Sequence, residues 1–267
     1  MAESADPNLS ISGNLLFYRT PQMLSKETHA KLGISPSPAR YGFANKAHMC
    51  PLTVSEFGPS ALSYPIIFLG EQHAPAAVFG LQEGQNLFTT GNDEGFENEV
   101  YVPSYIRRYP FVLAAGPNPD DQMMVCIDRA YEYIVEKADY PFFENGEPST
   151  FTKNCIEFCN EFEQQNRLTQ QFSALLTELD VFDNRTATYQ PTNSDGTPNG
   201  DIVTFAQYTA VSEEKLKALP EKTILELYNT GALQQIHVHL NSLFNWERLL
   251  LRADKWMKRQ QPVAANA

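Results

Sequence analysis

The sequence predicts an α+β fold in which a mainly antiparallel sheet has the C-terminal helices packed on it. Between residues 50 and 130, short apolar runs follow one another closely and are joined by Gly-containing turns, which favours antiparallel pairing over βαβ crossovers. From residue 149 onward, apolar residues recur at intervals of three or four, as they do on one face of a helix. The chain is 42% hydrophobic and 19% charged, which is the composition of a folded globule.

The 267 residues are predicted to form an N-terminal arm (1–47), a single domain (48–259) and a disordered tail (260–267). The arm is polar and mixed, and three prolines interrupt any long element in it: Pro21, Pro36 and Pro38. The domain carries almost all of the periodic apolar pattern, so we expect the core to lie there.

Strands are predicted where aromatic and β-branched residues form short runs bounded by Pro or Gly. These runs lie at residues 12–20 (an edge strand), 51–57, 64–69, 76–81, 86–90, 100–113 and 123–128, and in a hairpin of 186–190 with 202–209. Asn145-Gly146 is a further turn signal. Pro103 and Pro110 limit where a ladder can run, because proline donates no backbone hydrogen bond.

Helices are predicted where the apolar period changes to three or four residues. They lie at residues 25–32, 149–180, 212–219, 224–228 and 233–256. Polar residues suited to capping precede three of them: Ser25, Ser149 or Thr150, and Ser212. Residues that end helices follow three of them: Gly33, Pro220 and Gly231. The polar patch at 164–166 is expected to mark a kink or a break in the longest helix.

The charge and hydropathy of the chain oppose two classes of partner. A net charge of −12 disfavours nucleic acid, because phosphate backbones are bound by clusters of Lys and Arg. No run approaches the ~20 apolar residues that span a bilayer, so the protein is not expected to be membrane-spanning. The N-terminus is acidic and lacks the pattern of a secretory signal. We therefore expect a cytoplasmic protein, or one exported to the cell surface by a route that needs no such signal.

The chain is organised around residues 100–113, in which aromatic side chains flank the adjacent Arg107 and Arg108. In extended chain these two arginines point to opposite faces. At least one of them must then lie near the apolar face, where it needs a carboxylate, a carbonyl or a bound anion. Arginine on an aromatic surface also recognises carboxylates or phosphates through a bidentate fork.

This stretch is therefore the candidate ligand site, together with two polar residues outside it. The candidate ligand-binding residues are Tyr101, Tyr105, Arg107, Arg108, Tyr109, His73 and Asn86. The structural alternative is that the arginines form ion pairs with partners such as Glu56, Glu71, Glu97 or Glu99. Asn86 fits a turn as well as it fits a binding pocket.

No metal site and no cofactor is predicted. His237 and His239 lie in a helical pattern that separates them by about 200° around the axis, so one is expected near the core and the other exposed. Cys155 and Cys159 are one helical turn apart, which favours buried free thiols. The acidic loop at 195–201 lacks the alternating Asp pattern of a calcium loop, so we interpret it as a turn.

Four blocks carry a family resemblance. They are Pro51-Leu-Thr-Val-Ser-Glu-Phe57 with Tyr64-Pro65, Gly80-Leu-Gln-Glu-Gly-Gln-Asn-Leu-Phe88, Tyr101-Val-Pro-Ser-Tyr-Ile-Arg-Arg-Tyr-Pro-Phe111, and Gly231-Ala-Leu233 with Leu240-Asn-Ser-Leu243. Together they resemble the SapC-like family of bacterial proteins over residues 45–252, and the arginine block is the most specific. The resemblance implies a surface-layer context, or gene neighbours that encode outer-membrane nutrient-uptake systems and tryptophan-halogenase-like proteins. It implies no established activity or catalytic residue.

We therefore expect a non-catalytic binding or accessory protein linked to a surface-layer or outer-membrane nutrient-uptake system. Its Tyr/Arg face would bind a peptide, a glycan or a protein partner, and oligomers are compatible with the sequence. One alternative is an enzyme, or a partner of an enzyme, that modifies a peptide or a small anionic metabolite, with His73 as acid or base. A second alternative is a structural subunit of a surface layer. An open aromatic face would favour binding, whereas a pocket that joins the arginines to His73 and acidic groups would favour catalysis.

Overall fold

The structure is a computed structural model that describes residues 15–37, 39, 41–89, 95–114, 123–190, 195 and 197–260. Its strands are β1 Pro21–Met23, β2 Leu32–Ile34, β3 Met49–Pro51, β4 Ile66–Leu69, β5 Ala74–Val78, β6 Phe111–Ala114, β7 Met124–Asp128, β8 Ile134–Glu136, β9 Tyr140–Pro141, β10 Phe143–Glu144, β11 Glu147–Pro148, β12 Phe182–Tyr189 and β13 Val203–Val211. Its helices are α1 Lys26–His29, α2 Phe57–Ser60, α3 Ser104–Arg107, α4 Thr150–Glu178, α5 Glu213–Lys217, α6 Glu221–Asn229, α7 Ala232–Ser242 and α8 Asn245–Gln260.

The chain divides into two compact units. The first unit comprises Met1–Ala44, Thr90–Phe96 and Ser104–Gln165, and the second comprises Asn45–Thr89, Glu97–Pro103 and Asn166–Ala267. Helix α4 therefore contributes residues to both. The expected arrangement of arm, single domain and tail stays a prediction, and residues 261–267 of the tail lie outside the described residues.

The first unit contains two three-stranded antiparallel sheets, in the orders β1-β7-β6 and β8-β2-β9, and the hairpin β10-β11. Phe111 and Leu113 alternate along β6 and enter a buried cluster with Ile127 of β7. In β2, Gly33 packs so closely against Tyr140 of β9 that a Cβ atom there would collide with its backbone. A residue without a side chain is therefore required where β9 pairs with β2.

The second unit contains a five-stranded antiparallel sheet in the order β12-β13-β4-β5-β3. Helix α7 packs against β4 and β13 of this sheet. Tyr64 is fully buried beside Phe79 and Phe88, with ring centroids 4.8 and 4.6 Å away. The predicted α+β class, with antiparallel strands and C-terminal helices, is confirmed.

Local signals placed the starts of two helices correctly, whereas Gly33 does not end the first of them: α1 ends at His29, and Leu32 and Gly33 belong to β2. The side chain of Ser25 accepts a hydrogen bond from the backbone N–H of Thr28, and Ser149 caps α4 in the same way through Thr152. Asn145 and Gly146 both have positive φ and join the hairpin β10-β11. The predicted break at 164–166 is wrong, because α4 continues through these residues to Glu178.

Two predicted strands are wrong because side chains bond to nearby backbone. Residues 54–60 are helical, and the cause is a capping box in which Thr53 and Glu56 satisfy one another's backbone N–H groups. Residues 86–88 form a turn, because the side chain of Asn86 accepts the N–H of Phe88. In both segments, hydrogen bonds between side chains and nearby backbone groups take the place of the hydrogen bonds of a sheet.

Three further predictions need correction at their boundaries. The edge strand expected at 12–20 begins only at Pro21, while residues 15–20 form turns and bends and 12–14 lie outside the described residues. The central stretch contains helix α3 before β6 begins, so residues 104–107 are not extended. The helix expected over 233–256 is two helices that part at Leu243 and Phe244.

The buried imidazole of His239 should make stability depend on pH. His239 is 0% exposed on α7 and its Nε2 accepts the backbone N–H of Val211 at 3.1 Å. Burial lowers the pKa of His239 to about 3, an effect that the backbone of Ile66 partly opposes. The unfolded chain takes up a proton below about pH 6.5, whereas the folded protein does not. Stability should therefore fall as the pH drops from about 6.5 towards 3, by up to about 1.4 kcal/mol per pH unit.

Urea unfolding at several pH values in this window measures the effect. His239→Gln keeps an acceptor for Val211 and should flatten the pH dependence, even if it lowers stability at pH 7. His237→Gln is the matched control, because His237 is exposed on the same helix. An equal acid slope in wild type and His239→Gln would contradict the prediction.

Candidate functional site

The first unit contains an open cavity of about 680 Å³. Its size falls in the range of small-molecule and peptide sites in proteins. Its walls are formed by residues 34–37, residues 107–111 and one face of α4, together with the separate rings of Tyr41, Phe43, Tyr131 and Tyr140. The lining residues are Ile34, Ser35, Pro36, Ser37, Tyr41, Phe43, Arg107, Arg108, Tyr109, Pro110, Phe111, Tyr131, Tyr140, Phe151, Asn154, Cys155 and Phe158. We call this the Tyr/Arg cavity.

One face of α4 forms a continuous wall of the Tyr/Arg cavity. Phe151, Asn154, Cys155 and Phe158 follow the spacing i, i+3, i+4 and i+7, which places their side chains on one side of a helix. The apolar residues whose spacing predicted a core helix at α4 thus also form part of the wall of an open cavity. Asn154 is exposed and is the polar member of this face.

Arg108 lies in a nearly closed environment beside the Tyr/Arg cavity. Its side chain is 4% exposed and its guanidinium lies over the rings of Tyr105 and Phe162, at 4.5 and 4.2 Å from the centroids. Its Nη1 donates to Glu163 at 3.1 Å. Burial opposes the charge, yet neighbouring groups including Glu163 hold the pKa of Arg108 above its usual value. The expected partner of the buried arginine, a carboxylate, is present, but it is none of the four glutamates that the sequence suggested.

Arg107 has the opposite environment. It is exposed, its Nη2 donates to Ser104 Oγ at 2.7 Å, and its guanidinium lies 5.1 Å from the ring centroid of Phe158. The two arginines therefore diverge, as the sequence suggested, although they do so at the end of helix α3 and not in extended chain. Of the two arginines that line the Tyr/Arg cavity, Arg107 is the exposed one.

Tyr109 is held at the cavity by a buried carboxylate. Its hydroxyl donates to Asp128 at 2.9 Å, and Asp128 is 0% exposed. The backbone N–H groups of Arg19, Thr20 and Ala130 also donate to Asp128. Burial raises the pKa of Tyr109, and its hydrogen bond to Asp128 raises it further. Tyr109 is thus fixed as a neutral ring.

Other rings that the sequence did not single out complete the aromatic wall. Phe43 lies 4.1 Å from Tyr109 and Tyr131 lies 5.1 Å from it, measured between ring centroids. Tyr140 stacks on Phe151 at 5.2 Å. In the sequence these residues stand out only as aromatics among other aromatics. Aromatic residues are just as common in a protein core, so the sequence did not mark them as site residues.

The cysteines beside the Tyr/Arg cavity are poor nucleophiles. Cys155 and Cys159 are free thiols, of which Cys159 is buried and Cys155 half-buried. Burial raises the pKa of Cys155 to about 11 and that of Cys159 to about 12. At neutral pH both stay protonated.

The other predicted site residues belong to the second unit. Tyr101 donates its hydroxyl to Glu56 at 2.8 Å, and its carbonyl accepts the hydroxyl of Tyr64. Asn86 is buried and forms the turn described above. The structure therefore brings Arg107, Arg108 and Tyr109 to one cavity, with Tyr105 behind Arg108, and places Tyr101, His73 and Asn86 elsewhere. Ligand binding by any of them stays a prediction.

His73 lines a different and shallower cavity of about 340 Å³ in the second unit. Its ring stacks on Phe182 at 4.0 Å and its Nδ1 lies 2.8 Å from Thr177 Oγ1. Asp180, Asp183 and Lys215 border the same cavity. Lys215 donates to Asp180 at 3.2 Å.

Within the described part of the chain, no three His, Cys, Asp or Glu side chains converge in a way that could hold a metal ion. The described helices also include none that is both long and apolar enough to cross a membrane.

Comparison with known proteins identifies a family. The SapC family model matches residues 24–249, which is most of the chain and includes every described lining residue of the Tyr/Arg cavity. No curated protein and no solved structure matches the sequence significantly. On the strength of the match over residues 24–249, the chain belongs to the SapC family.

Proposed function

We propose that this SapC-family protein is a non-catalytic binding protein whose Tyr/Arg cavity holds a segment of a partner peptide or protein. The observation that carries the proposal is the composition of one concave surface. Eight of its seventeen described lining residues are aromatic, and Arg107 and Arg108 line it as well. Aromatic residues and arginine are the side chains that contribute most energy to protein recognition sites.

The contents of the cavity favour binding over catalysis. Its described lining contains neither histidine nor carboxylate, so no general acid or base of the usual kind faces Arg107. The candidate acid or base His73 lines a cavity of the other unit. Cys155 is the cysteine of the described lining, and its raised pKa keeps it as a thiol.

A peptide fits the lining better than a glycan does. Arginine only donates hydrogen bonds, whereas sugar hydroxyls are best matched by side chains that also accept them. The carboxylate and amide side chains that would accept hydrogen bonds from sugar hydroxyls are nearly lacking. The described lining contains no carboxylate and one amide, that of Asn154. Aromatic rings, by contrast, suit the apolar side chains of a peptide.

The physiological setting we propose is an accessory role in a bacterial surface-layer or outer-membrane nutrient-uptake system. Membership of the SapC family supports it, and the partner would be a peptide segment of a protein in that system. Cytoplasmic residence or signal-less export, and the oligomeric state, stay predictions. The surface-layer structural subunit remains the second candidate, but a concave cavity with buried, fixed arginine is better suited to a discrete ligand than to a lattice contact.

A thermal-shift screen of peptides, amino acids, sugars, nucleotides and divalent metals tests the proposal. A ligand at ~100 times its dissociation constant should add about 2.7 kcal/mol of apparent stability. We expect peptides to give the shift and Arg107→Gln to abolish it. Arg167→Gln is the matched control, because Arg167 is exposed on α4 and does not line the cavity.

A second measurement locates the ligand. Cys155 is the most accessible cysteine thiol of the lining, so its slow alkylation at pH 8 should become slower still when a peptide is bound. Cys155→Ser identifies which labelled thiol is protected. Stabilisation by sugars or nucleotides alone, or peptide binding that neither protects Cys155 nor depends on Arg107, would overturn the proposal.

A further inference from the structure

We infer that the Tyr/Arg cavity recognises a proline-rich segment in the polyproline II conformation. This inference rests on the proposed function and names the class of peptide that the cavity binds. It is carried by three features of the described lining: the spacing of the rings on α4, the exposed ring of Tyr140, and the shortage of side chains that accept hydrogen bonds.

The wall formed by α4 carries a ring, an amide and a second ring, in the order Phe151, Asn154 and Phe158. Because Phe158 follows Phe151 by seven residues, the two rings are set about 10.5 Å apart along the helix axis. A polyproline II helix has three residues per turn, so every third residue returns to the same side after about 9.3 Å. Two prolines three positions apart therefore match the spacing of the two rings.

Both ends of this wall offer an aromatic surface. Tyr140 stacks on Phe151 at 5.2 Å between ring centroids and is 47% exposed, so much of its ring is accessible to a ligand. Although the guanidinium of Arg107 lies over Phe158 at 5.1 Å from the centroid, Phe158 remains only half-buried. Aromatic-lined grooves are the surfaces on which proline-rich segments dock, because the proline rings pack against the aromatic rings.

The side chains of the lining supply few hydrogen-bond acceptors. Its described part contains no carboxylate, and arginine side chains only donate. The hydroxyl of Ser37 is already bonded to the backbone of Ala39, and the hydroxyl of Tyr109 donates to Asp128. An ordinary peptide brings one N–H donor per residue, which needs an acceptor when it is buried, whereas proline brings a carbonyl and no N–H. A proline-rich backbone is therefore the one that this lining can satisfy.

Asn154 is placed to bond to such a backbone. It is exposed and lies between Phe151 and Phe158 on the same face of α4. Its amide N–H groups can donate to a carbonyl of the segment, because polyproline II has no internal hydrogen bonds and leaves its carbonyls open. The preformed conformation of the segment also reduces the entropy that is lost on binding, so that few hydrogen bonds suffice.

The test compares three uncharged probes by isothermal titration, each acetylated at one end and amidated at the other. The first is Ala-Pro-Pro-Ala-Pro-Pro-Ala. The second has alanine in place of every proline, and the third has threonine and valine there, which favour extended β structure. The proline probe should bind at least about tenfold more tightly than either of the others, since both of these bring N–H donors that the lining leaves unpaired.

Three variants of the protein locate the bound segment. Tyr140→Ala, Phe158→Leu and Asn154→Ala should each weaken binding of the proline probe about two- to tenfold, through the loss of a ring contact or a hydrogen bond. Tyr189→Ala is the matched control for the rings, because Tyr189 is also 47% exposed but lies on β12, outside the cavity. Asn160→Ala is the control for the amide, because Asn160 is exposed on α4 and does not line the cavity. Both controls should bind the probe as wild type does.

Several outcomes would overturn the inference, and they separate it from the proposed function. If the threonine–valine probe binds as tightly as the proline probe, the preference for proline is refuted and a peptide-binding cavity remains. Proline binding that none of the three variants weakens would place the segment outside the Tyr/Arg cavity. Failure of all three probes, while other peptides stabilise the protein in the screen, would refute the proline assignment alone, whereas failure of every peptide would refute the proposed function too. Circular dichroism of each variant shows that the fold is kept.

Discussion

Replacing Glu163 with alanine should lower the free energy of unfolding by about 3–5 kcal/mol, because it strands a buried charge. Arg108 is 4% exposed and sits between the rings of Tyr105 and Phe162. Without its carboxylate the guanidinium can neither reach water nor lose its proton, because an arginine side chain stays protonated in proteins. Urea unfolding monitored by circular dichroism measures the loss.

Removing the arginine instead of the glutamate should lower the free energy of unfolding by less. Arg108→Met removes the charge but leaves a long apolar side chain between the same two rings, where sulfur–aromatic contacts are favourable. Glu163 is 23% exposed, so its carboxylate can be hydrated once the arginine is gone. We expect a loss of about 1–2 kcal/mol, most of it from the cation–π contacts. The double variant should accordingly be more stable than Glu163→Ala alone.

The ordering of these variants is the decisive result. If Arg108→Met cost as much as Glu163→Ala, the cation–π contacts and not the stranded charge would dominate. Glu161→Ala is the matched control, because Glu161 is exposed on the same helix and should change stability by less than about 0.5 kcal/mol. The expected ordering would also mean that Arg108 has a structural role beside the cavity, as the paired cation of Glu163.

Structural elements that are determined by residues close together in the chain could be predicted from the sequence. Ser25 and Ser149 begin helices because their side chains accept hydrogen bonds from the backbone N–H groups three residues further on. His237 and His239 fall on different sides of α7 because the helical period alone separates them. The α+β class follows from the same kind of information, since strand and helix periods are visible within about ten residues.

The central stretch shows where local information fails. Its aromatic and β-branched residues favour a strand, but residues 104–107 form a helical turn in which the N–H of Arg108 bonds to the carbonyl of Ser104. Packing decided the conformation: Tyr105 and Ile106 are buried, and Tyr105 faces Phe162 of α4. Intrinsic preference is a weak guide when tertiary contacts compete with it.

The candidate site was only partly predictable, because its partners are distant in sequence. The need of a buried arginine for a carboxylate follows from desolvation, but Glu163 lies 55 residues from Arg108. The glutamates that seemed available bond elsewhere: Glu56 to Thr53 and Glu97 to Arg252. No periodicity links such pairs, so a single sequence does not reveal them.

Replacing Asp128 with alanine should destabilise the protein by about 3–5 kcal/mol, since it removes the buried, charged acceptor that four part-buried donors share. Asp128 is 0% exposed and accepts the N–H groups of Thr20 at 2.8 Å, Arg19 at 3.0 Å and Ala130 at 3.2 Å, besides the hydroxyl of Tyr109. It therefore ties the segment before β1 to the end of β7. Asp139→Ala, an exposed aspartate of the same unit, is the control.

Milder substitutions at Asp128 and Tyr109 should lower the free energy of unfolding by smaller, graded amounts. Asp128→Asn turns one acceptor into a donor that faces other donors, so we expect an intermediate loss of about 2 kcal/mol. Tyr109→Phe removes one donor and leaves the three backbone bonds, so about 1 kcal/mol should be lost. If Tyr109→Phe is nearly as stable as wild type and binds a peptide ligand as well as wild type does, the tyrosine contributes its ring and not its hydroxyl. A loss as large as that of Asp128→Ala would instead show that the hydroxyl, and not the backbone, is the main partner of this carboxylate.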